Sequence, residues 1–237
     1  MNKIIHLADD RGIQNHGWLK AAHSFSFASY HDPAKVHFGL LRVLNDDIIA
    51  PGMGFGEHGH DNMEIVTIPL RGSLAHRDSL GSEGLIGPDE VQIMSAGSGI
   101  RHSEFNGSKT EEVNLLQIWV FPKERNIQPR YDQKKFDFSD SQNAFKTLVS
   151  PQKDSEAMWI NQDAYFSIGN FEAGRQGAYN IQHSQNGAYV FVIEGKIELD
   201  GQVLGRRDAA GIYNTSNFDF KALEDSRVLV IDVPMEF

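Results

Sequence analysis

The sequence predicts an all-β protein made of two tandem β-barrels. Short apolar or alternating segments recur along its 237 residues, and glycine, proline, asparagine and aspartate separate them at intervals of roughly 8–12 residues. This spacing is typical of β-sandwiches and β-barrels. The pattern is interrupted around residues 122–152, a polar stretch that contains three prolines, before it resumes. We therefore predict an N-terminal domain at residues 1–130 and a C-terminal domain at residues 131–237.

The individual strands are predicted from alternation of polar and apolar residues and from runs of β-branched residues. In the first half they are 23–28, 38–44, 64–70, 73–78, 91–95 and 113–121, with a loop at 80–88. Residues 141–149 are predicted as a short helix in the connection. In the second half the predicted strands are 157–161, 165–171, 187–193, 196–199, 209–213 and 227–233.

One local plan occurs in both halves. In residues 67–74 an apolar strand is followed by Arg71-Gly72 and then by an alternating strand. Residues 189–199 repeat that plan around Glu194-Gly195. We interpret the two halves as weakly repeated barrels.

Composition and charge restrict the class of protein. Hydrophobic residues make up 40% of the chain and charged residues 23%, as in ordinary soluble proteins. A net charge of −10 disfavours binding to nucleic-acid phosphates. The chain has no cysteine, which excludes disulfides, thiolate metal ligands and cysteine nucleophiles. No segment has the pattern of a signal peptide or a membrane span, so we expect a cytoplasmic protein.

Four side chains between residues 52 and 106 are candidate metal ligands. His58 and His60 form one pair, and His102 and Glu104 form another. Side chains two apart on a strand point to the same face, so each pair presents two donor groups to one side of a sheet. If the two strands lie close together, the four groups converge on one divalent transition metal ion, which imidazole and carboxylate suit. A chance cluster of surface histidines would explain one such pair, but two glycine-flanked pairs favour a metal site.

The surroundings of these pairs support the same interpretation. Four glycines, at positions 52, 54, 56 and 59, are expected to let the backbone bend and approach closely beside the first pair. The histidines of residues 1–50 lack ligand spacing, and only His23, which precedes an aromatic segment, is a candidate to line a pocket. The second half has one histidine, His183, and no paired ligands, so we expect it to be a metal-free copy.

Two motifs in this region resemble those of a known family. The first cupin motif is similar to Gly52, His58-x-His60, Glu64 and Gly72, and the end of the second is similar to Gly99-x-x-His102-x-x-x-Asn106. The fuller resemblance is to pirins and bacterial pirin-like proteins, which are two-domain cupins, and it rests on residues 15–18, 23–28, 58–64 and 94–104. It covers most of the first 130 residues, whereas the C-terminal half agrees only in general plan. The resemblance implies a bicupin, with two barrels of the double-stranded β-helix or jelly-roll type and short helices only.

The resemblance also implies a ligand set. In pirins the first cupin holds the metal, which by motif implies His58, His60, His102 and Glu104, and the second cupin is usually without metal. The family is linked to iron, so one divalent transition metal is implied, Fe(II) first, with Zn, Ni, Cu, Mn and Co as alternatives. In many cupins the fourth ligand is the motif-one glutamate, here Glu64, whose strand parity matches that of the first histidine pair. The pirin pattern favours Glu104, and Glu64 would then hydrogen-bond a ligand histidine or line the rim.

The activity that the resemblance implies is oxygenation. Several bacterial members resemble flavonol dioxygenases that open quercetin, so the partners would be a small aromatic substrate such as a flavonol and O2, with no nucleic acid or membrane, and a monomer is expected. Three histidines and one carboxylate leave open positions on Fe(II) for substrate and oxygen. Glu104 would take the proton of the flavonol 3-hydroxyl as general base. A flat apolar pocket could be supplied by Phe25, Phe27, Phe38 and Phe55, although core packing is the simpler interpretation of each one.

Two other functions stay open at this point. The first is a non-catalytic iron-binding regulatory protein, since the animal pirin is described as a nuclear transcription co-regulator. In that case the redox state of the metal would alter the surface around residues 52–60 and 98–106. The second is a cupin enzyme that acts on another small metabolite with the same ligands. An enzyme requires a site that is open to solvent, whereas a regulatory switch could be closed.

Overall fold

The computed structural model describes residues 1–236, which form an almost entirely β protein. The strands of the first half are β1 (Asn2–His6), β2 (Gly12–Asn15), β3 (Leu19–His23), β4 (Leu41–Ile49), β5 (Gly54–His60), β6 (Glu64–Arg71), β7 (Leu74–Asp78), β8 (Glu83–Ile86), β9 (Glu90–Ser95), β10 (Ile100–Asn106), β11 (Val113–Val120) and β12 (Arg130–Lys135). Helical structure in the described chain is confined to one 3-10 turn, Ala8–Asp10, so no helix is long enough to cross a membrane.

The second half continues in the same way. Its strands are β13 (Phe145–Ser150), β14 (Met158–Trp159), β15 (Tyr165–Phe171), β16 (Gln176–Asn180), β17 (Asn186–Glu194), β18 (Ile197–Leu199), β19 (Gln202–Leu204), β20 (Ala209–Tyr213), β21 (Asn217–Ala222) and β22 (Ser226–Pro234). The all-β prediction is therefore confirmed.

Each half is a barrel made of a seven-stranded and a four-stranded sheet. In the first barrel the strand orders are β12-β9-β6-β11-β4-β3-β2 and β5-β10-β7-β8. In the second they are β1-β20-β17-β22-β15-β13-β14 and β16-β21-β18-β19. The two halves exchange strands, because β1 lies in the second barrel and β12 pairs with β9 in the first. The division at residues 1–130 and 131–237 stays a proposal, with these two strands crossing it.

The two seven-stranded sheets pack against each other and separate the barrels. One buried apolar cluster contains Leu116 and Ile118 from β11 together with Leu229 and Ile231 from β22. Because side chains alternate along a strand, the other face of β11 points into the first barrel. Gln117 on that face bonds Glu104 of β10. The first barrel is thus fixed on a rigid apolar base while its interior stays available for polar groups.

The interiors of the two barrels differ in chemistry. The second is filled by an apolar cluster in which aromatic side chains such as Tyr179, Phe218 and Phe220 pack with aliphatic ones. The first carries only small apolar clusters, and its buried polar side chains include His76, His102, Glu104, Gln92 and Asp47. Burial of so many polar groups costs free energy unless they are hydrogen-bonded, paired with an opposite charge or bound to a metal ion.

The predicted loop at 80–88 is wrong in part, because β8 (Glu83–Ile86) lies within it and pairs with β7. Two other local predictions are also wrong. Residues 141–149 do not form a helix, because Thr147 and Val149 lie in β13 and pair with β15 while Leu148 is buried in the core between the barrels. Residues 23–28 do not form one strand, since β3 ends at His23 and Ala28 adopts a left-handed φ of 51° in a turn. In both cases tertiary pairing outweighs the local pattern.

Candidate metal centre

Three imidazoles converge at the interface of two antiparallel strands. On β5 and β10, His58 lies directly opposite His102, and His60 is opposite Ile100. The ring centroids are 4.4 Å apart for His58 and His102, and 4.9 Å apart for each of the other two pairs. One ring nitrogen from each histidine lies within 4.8 Å of the others. The structure therefore brings together three of the four side chains that the spacing predicts.

The close approach of the two strands depends on the glycines only in part. A Cβ on Gly54 would lie 2.2 Å from the backbone oxygen of Glu104, so only glycine fits there. Gly52 has a φ of +65°, which glycine tolerates best. At Gly56 and Gly59 a Cβ would meet open space or ordinary contacts. Two of the four glycines are thus required by the backbone.

The protonation of these histidines suits a metal. Burial lowers the pKa of His60 to about 4 and that of His102 to about 3, and in both cases the neighbouring His58 lowers it further. Their lone pairs are therefore free at neutral pH, with little competition from protons. The Nδ1 of His58 donates to the carbonyl of Gly56 at 2.8 Å, which leaves its Nε2 lone pair available. These residues fit a divalent transition metal ion.

Glu104 lies deeper in the barrel than the three imidazoles. It is 2% exposed, and its two carboxylate oxygens accept hydrogen bonds from Gln92 (3.2 Å) and Gln117 (2.9 Å). The register between β5 and β10 shifts after His102, which offsets Glu104 from the histidine pair. Its carboxylate groups with His76 and His102 rather than with all three imidazoles. Burial raises the pKa of this carboxyl.

Glu64, the competing ligand, is placed elsewhere. Its Oε2 accepts hydrogen bonds from the hydroxyl of Ser95 (2.8 Å) and the backbone N–H of Asn161 (3.1 Å), which belongs to the second half. The parity argument for Glu64 is wrong, because β5 and β6 belong to different sheets and Asn62 between them has a left-handed φ of 46°. Burial raises the pKa of Glu64 to about 7. It joins the two barrels and bonds no ligand histidine.

Comparison with known proteins identifies the family. Residues 6–120 match the family described as Pirin, and residues 147–233 match the one described as Quercetinase C-terminal cupin domain. The quercetin 2,3-dioxygenase of Escherichia coli K12 is 39% identical over 227 residues, which cover 96% of each chain. The chain belongs to the pirin family.

Two further pirins extend the comparison. The pirin-like protein of Caulobacter vibrioides is 41% identical over 225 residues, covering 94% of this chain and 96% of that one. The crystal structure of the bacterial pirin YhhW from Escherichia coli in complex with nickel(II) superimposes with a TM-score of 0.92 at 38% identity, over 98% of this chain and 99% of that one. The predicted pair of cupin domains is thereby confirmed, and a pirin of the same fold binds a metal.

The sequence analysis did not single out one histidine that lies beside His102 and Glu104. His76 on β7 lies opposite Glu104 on β10, and its ring centroid is 5.3 Å from that of His102. Its Nε2 donates to Asp78 at 3.0 Å, and its ring stacks on Tyr131 at 4.4 Å. The signal was present, because His76-x-Asp78 has the same spacing of two as the other pairs. Nothing in the sequence marked Gln92 or Gln117 as partners of Glu104.

The aromatic residues divide between core and site. Phe25 and Phe38 are buried between the barrels, where both contact Tyr189, so core packing is the correct interpretation of them. Phe55 lies 6.4 Å from the ring of His58 and packs on Trp18.

Trp119 lies between His60 and Phe27, the fourth of the phenylalanines considered above as pocket residues. Its ring lies 4.9 Å from His60 and 5.3 Å from Phe27. The indole N–H is buried and has no hydrogen-bond partner within residues 1–236. His23 contacts Phe27 at 5.4 Å, and its Nδ1 donates to Asn45 at 2.8 Å. The aromatic rings of Trp119 and Phe27 therefore lie beside His60, and the indole N–H of Trp119 is a hydrogen-bond donor without a partner among the described residues.

Asp47 provides a pH test of the polar barrel interior. It is 4% exposed, and burial, Asp46 and Glu104 raise its pKa to about 8 from the ordinary 3.8. Because the folded state holds the proton more tightly than the unfolded state, the stability that protonation supplies is present below pH 4 and is lost as the pH rises through 8. Asp47→Asn should therefore gain stability relative to the wild type by up to about 1.4 kcal/mol per pH unit between pH 4 and 8. Urea unfolding at several pH values measures this difference, and parallel curves would contradict it.

Proposed function

We propose that this protein is a metal-dependent pirin-type dioxygenase that opens the ring of quercetin or a related flavonol. The observation that carries the proposal is the set of three converging imidazoles next to a buried carboxyl, in a chain that is 39% identical to a quercetin 2,3-dioxygenase. The metal ligands that we propose are His58, His60, His102 and Glu104. Fe(II) is the first candidate, and the nickel(II) bound by a related pirin supports a site for a divalent transition metal.

The position of the site favours an enzyme over a closed switch. One edge strand of the four-stranded sheet is β5, and its His58 and His60 are only half-buried. His102 and Glu104 lie behind them, each 2% exposed. A small molecule from solvent thus reaches the two outer imidazoles first, with the carboxyl at the inner end. This graded burial supports an enzyme, which needs ligands within reach of solvent, over a closed regulatory switch.

The bound metal would supply positive charge that lowers the pKa of a substrate hydroxyl held against it. The residue that we propose to receive the proton is Glu104. Burial raises the pKa of its carboxyl, which makes it a stronger base than an exposed glutamate. Gln92 and Gln117 each bond one oxygen, so each oxygen keeps a lone pair for the incoming proton. The two amides also hold the carboxyl in one orientation as its charge changes.

We propose that Trp119 positions the flat substrate. Trp119→Phe keeps an aromatic ring but removes the unpartnered indole N–H, which we expect to bond a substrate oxygen. One such hydrogen bond is worth about 1 kcal/mol, so the KM for the flavonol should rise several-fold. Metal content should stay unchanged, because Trp119 supplies no ligand atom. Steady-state kinetics with elemental analysis test this, and an unchanged KM would contradict it.

The experiment that tests the function is anaerobic reconstitution with Fe(II), followed by oxygen uptake against a panel of flavonols. We expect uptake that requires both the metal and the flavonol. If the iron-loaded protein consumes no oxygen with any flavonol, the dioxygenase proposal fails and the regulatory function is favoured. The expectations of a monomer and of a cytoplasmic location stay predictions.

A further inference from the structure

One ring nitrogen of His76 and both ring nitrogens of His102 are buried without a hydrogen-bond partner in the described chain. His76 is 3% and His102 is 2% exposed, and the Nδ1 of His76 and the Nδ1 and Nε2 of His102 have no hydrogen-bond partner anywhere in the described chain. Buried polar atoms without partners are rare and cost about 1–3 kcal/mol each. An ion bound by His58, His60 and His102 would use one nitrogen of His102. It would leave the second one, and the Nδ1 of His76, unexplained.

The tautomer of His76 is set by its partner. The Asp78 carboxylate can only accept, so the Nε2 of His76 carries the proton and its Nδ1 presents a lone pair. The other oxygen of Asp78 is fixed by the backbone N–H groups of Leu80 (2.9 Å) and Ser82 (3.0 Å). Histidines that bind metals typically donate their second N–H to a carboxylate in this way. With Tyr131 stacked on its ring, His76 is oriented as a metal ligand would be.

The lone pair of His76 lies next to two other donors. One ligand atom each from His76, His102 and Glu104 lies within 4.8 Å of the others, and all three residues are buried. In the antiparallel register His76 faces Glu104, and its neighbour Asp78 faces His102. Two imidazole nitrogens and a carboxylate are a suitable donor set for nickel, cobalt, zinc or iron in the divalent state.

The geometry points to a second, deeper metal position formed by His76, His102 and Glu104. This inference rests on the proposed function, because it divides the metal centre of that function into an outer and an inner position. The outer one uses His58 and His60, the inner one uses His76, and His102 and Glu104 belong to both. A neutral imidazole has a single lone pair, so His102 binds one ion at a time, and one ion occupies the two positions in alternation.

Nickel(II) binding to metal-free protein, measured by calorimetry and elemental analysis, tests the deeper position without any activity assay. The H58A/H60A variant, which removes the outer donors from a half-buried strand, should still bind nickel saturably but more weakly than the wild type. Adding H76A should abolish this remaining binding. Adding His23→Ala, which removes a buried histidine of the same barrel that belongs to neither group, should leave it intact.

The outcomes separate the two proposals. Loss of all binding in H58A/H60A, or an equal effect of the third substitutions, overturns the deeper position but not the outer site. Wild-type affinity in H58A/H60A would overturn the outer site instead. Since H76A could disturb folding, anomalous diffraction from nickel-soaked crystals of H58A/H60A gives a second measurement. A peak between His76, His102 and Glu104 is expected, and nickel bound elsewhere or not at all overturns the inference.

Discussion

Replacing Glu104 by glutamine is expected to lower flavonol-dependent oxygen uptake by ~10²–10⁴-fold, the usual contribution of a general base. The substitution keeps the size and one oxygen donor but removes the negative charge and the basicity. Bound metal should fall only modestly, because the three imidazoles remain. The Gln117 amide keeps an oxygen to donate to, and the Gln92 amide can turn so that its unpartnered Oε1 accepts from the new NH2 group, so the barrel should stay folded. Oxygen uptake at matched metal content measures the effect.

Glu64→Gln is the matched control for this prediction. Glu64 is as deeply buried as Glu104, but it bonds Ser95 and Asn161 between the barrels. This variant should keep more activity than Glu104→Gln, even if its melting temperature changes. The reverse order, with Glu64→Gln inactive and Glu104→Gln near normal, would return the role to the motif-one glutamate.

Changing His102 to alanine is expected to remove most of the bound metal. His102 is the ligand that both groups of donors share, and it lies at the centre of the cluster between His58 and His76. Oxygen uptake should fall in proportion to the metal that is lost. His183→Ala, which changes the exposed histidine of the second barrel, is the control and should retain full metal. Elemental analysis of both purified variants measures their metal content. A His102→Ala protein with the metal content of the wild type would contradict the assignment of His102 as a ligand.

Much of the fold follows from short-range patterns. Alternation along 73–78 and the β-branched run at 64–70 predict β7 and β6, because sheet strands bury one face or both. Two features are set by long-range pairing and leave no local signal. One is β1, which completes the sheet of the distant half, and the other is β13, whose sequence also suits a helix. Only packing against β20 and β15 decides these cases.

The site was predictable where the spacing is short. His58 and His60 share a strand, as do His102 and Glu104, so their common faces follow from the period of a strand. Glu64 could not be placed in this way, since the turn at Asn62 carries it into another sheet. The amides of Gln92 and Gln117 reach Glu104 only because β9 and β11 face β10 across the barrel. Contacts of this kind depend on the closure of the barrel and not on any local motif.

The most direct test of the central claim is isotope labelling with ¹⁸O2. The iron-loaded protein is incubated with quercetin under ¹⁸O2, and the organic products are analysed by mass spectrometry. A dioxygenase that works at the proposed site should place both labelled atoms in the ring-opened products, and the His102→Ala variant should give none. Products that carry one labelled atom or none, or an equal yield from His102→Ala, would contradict the account.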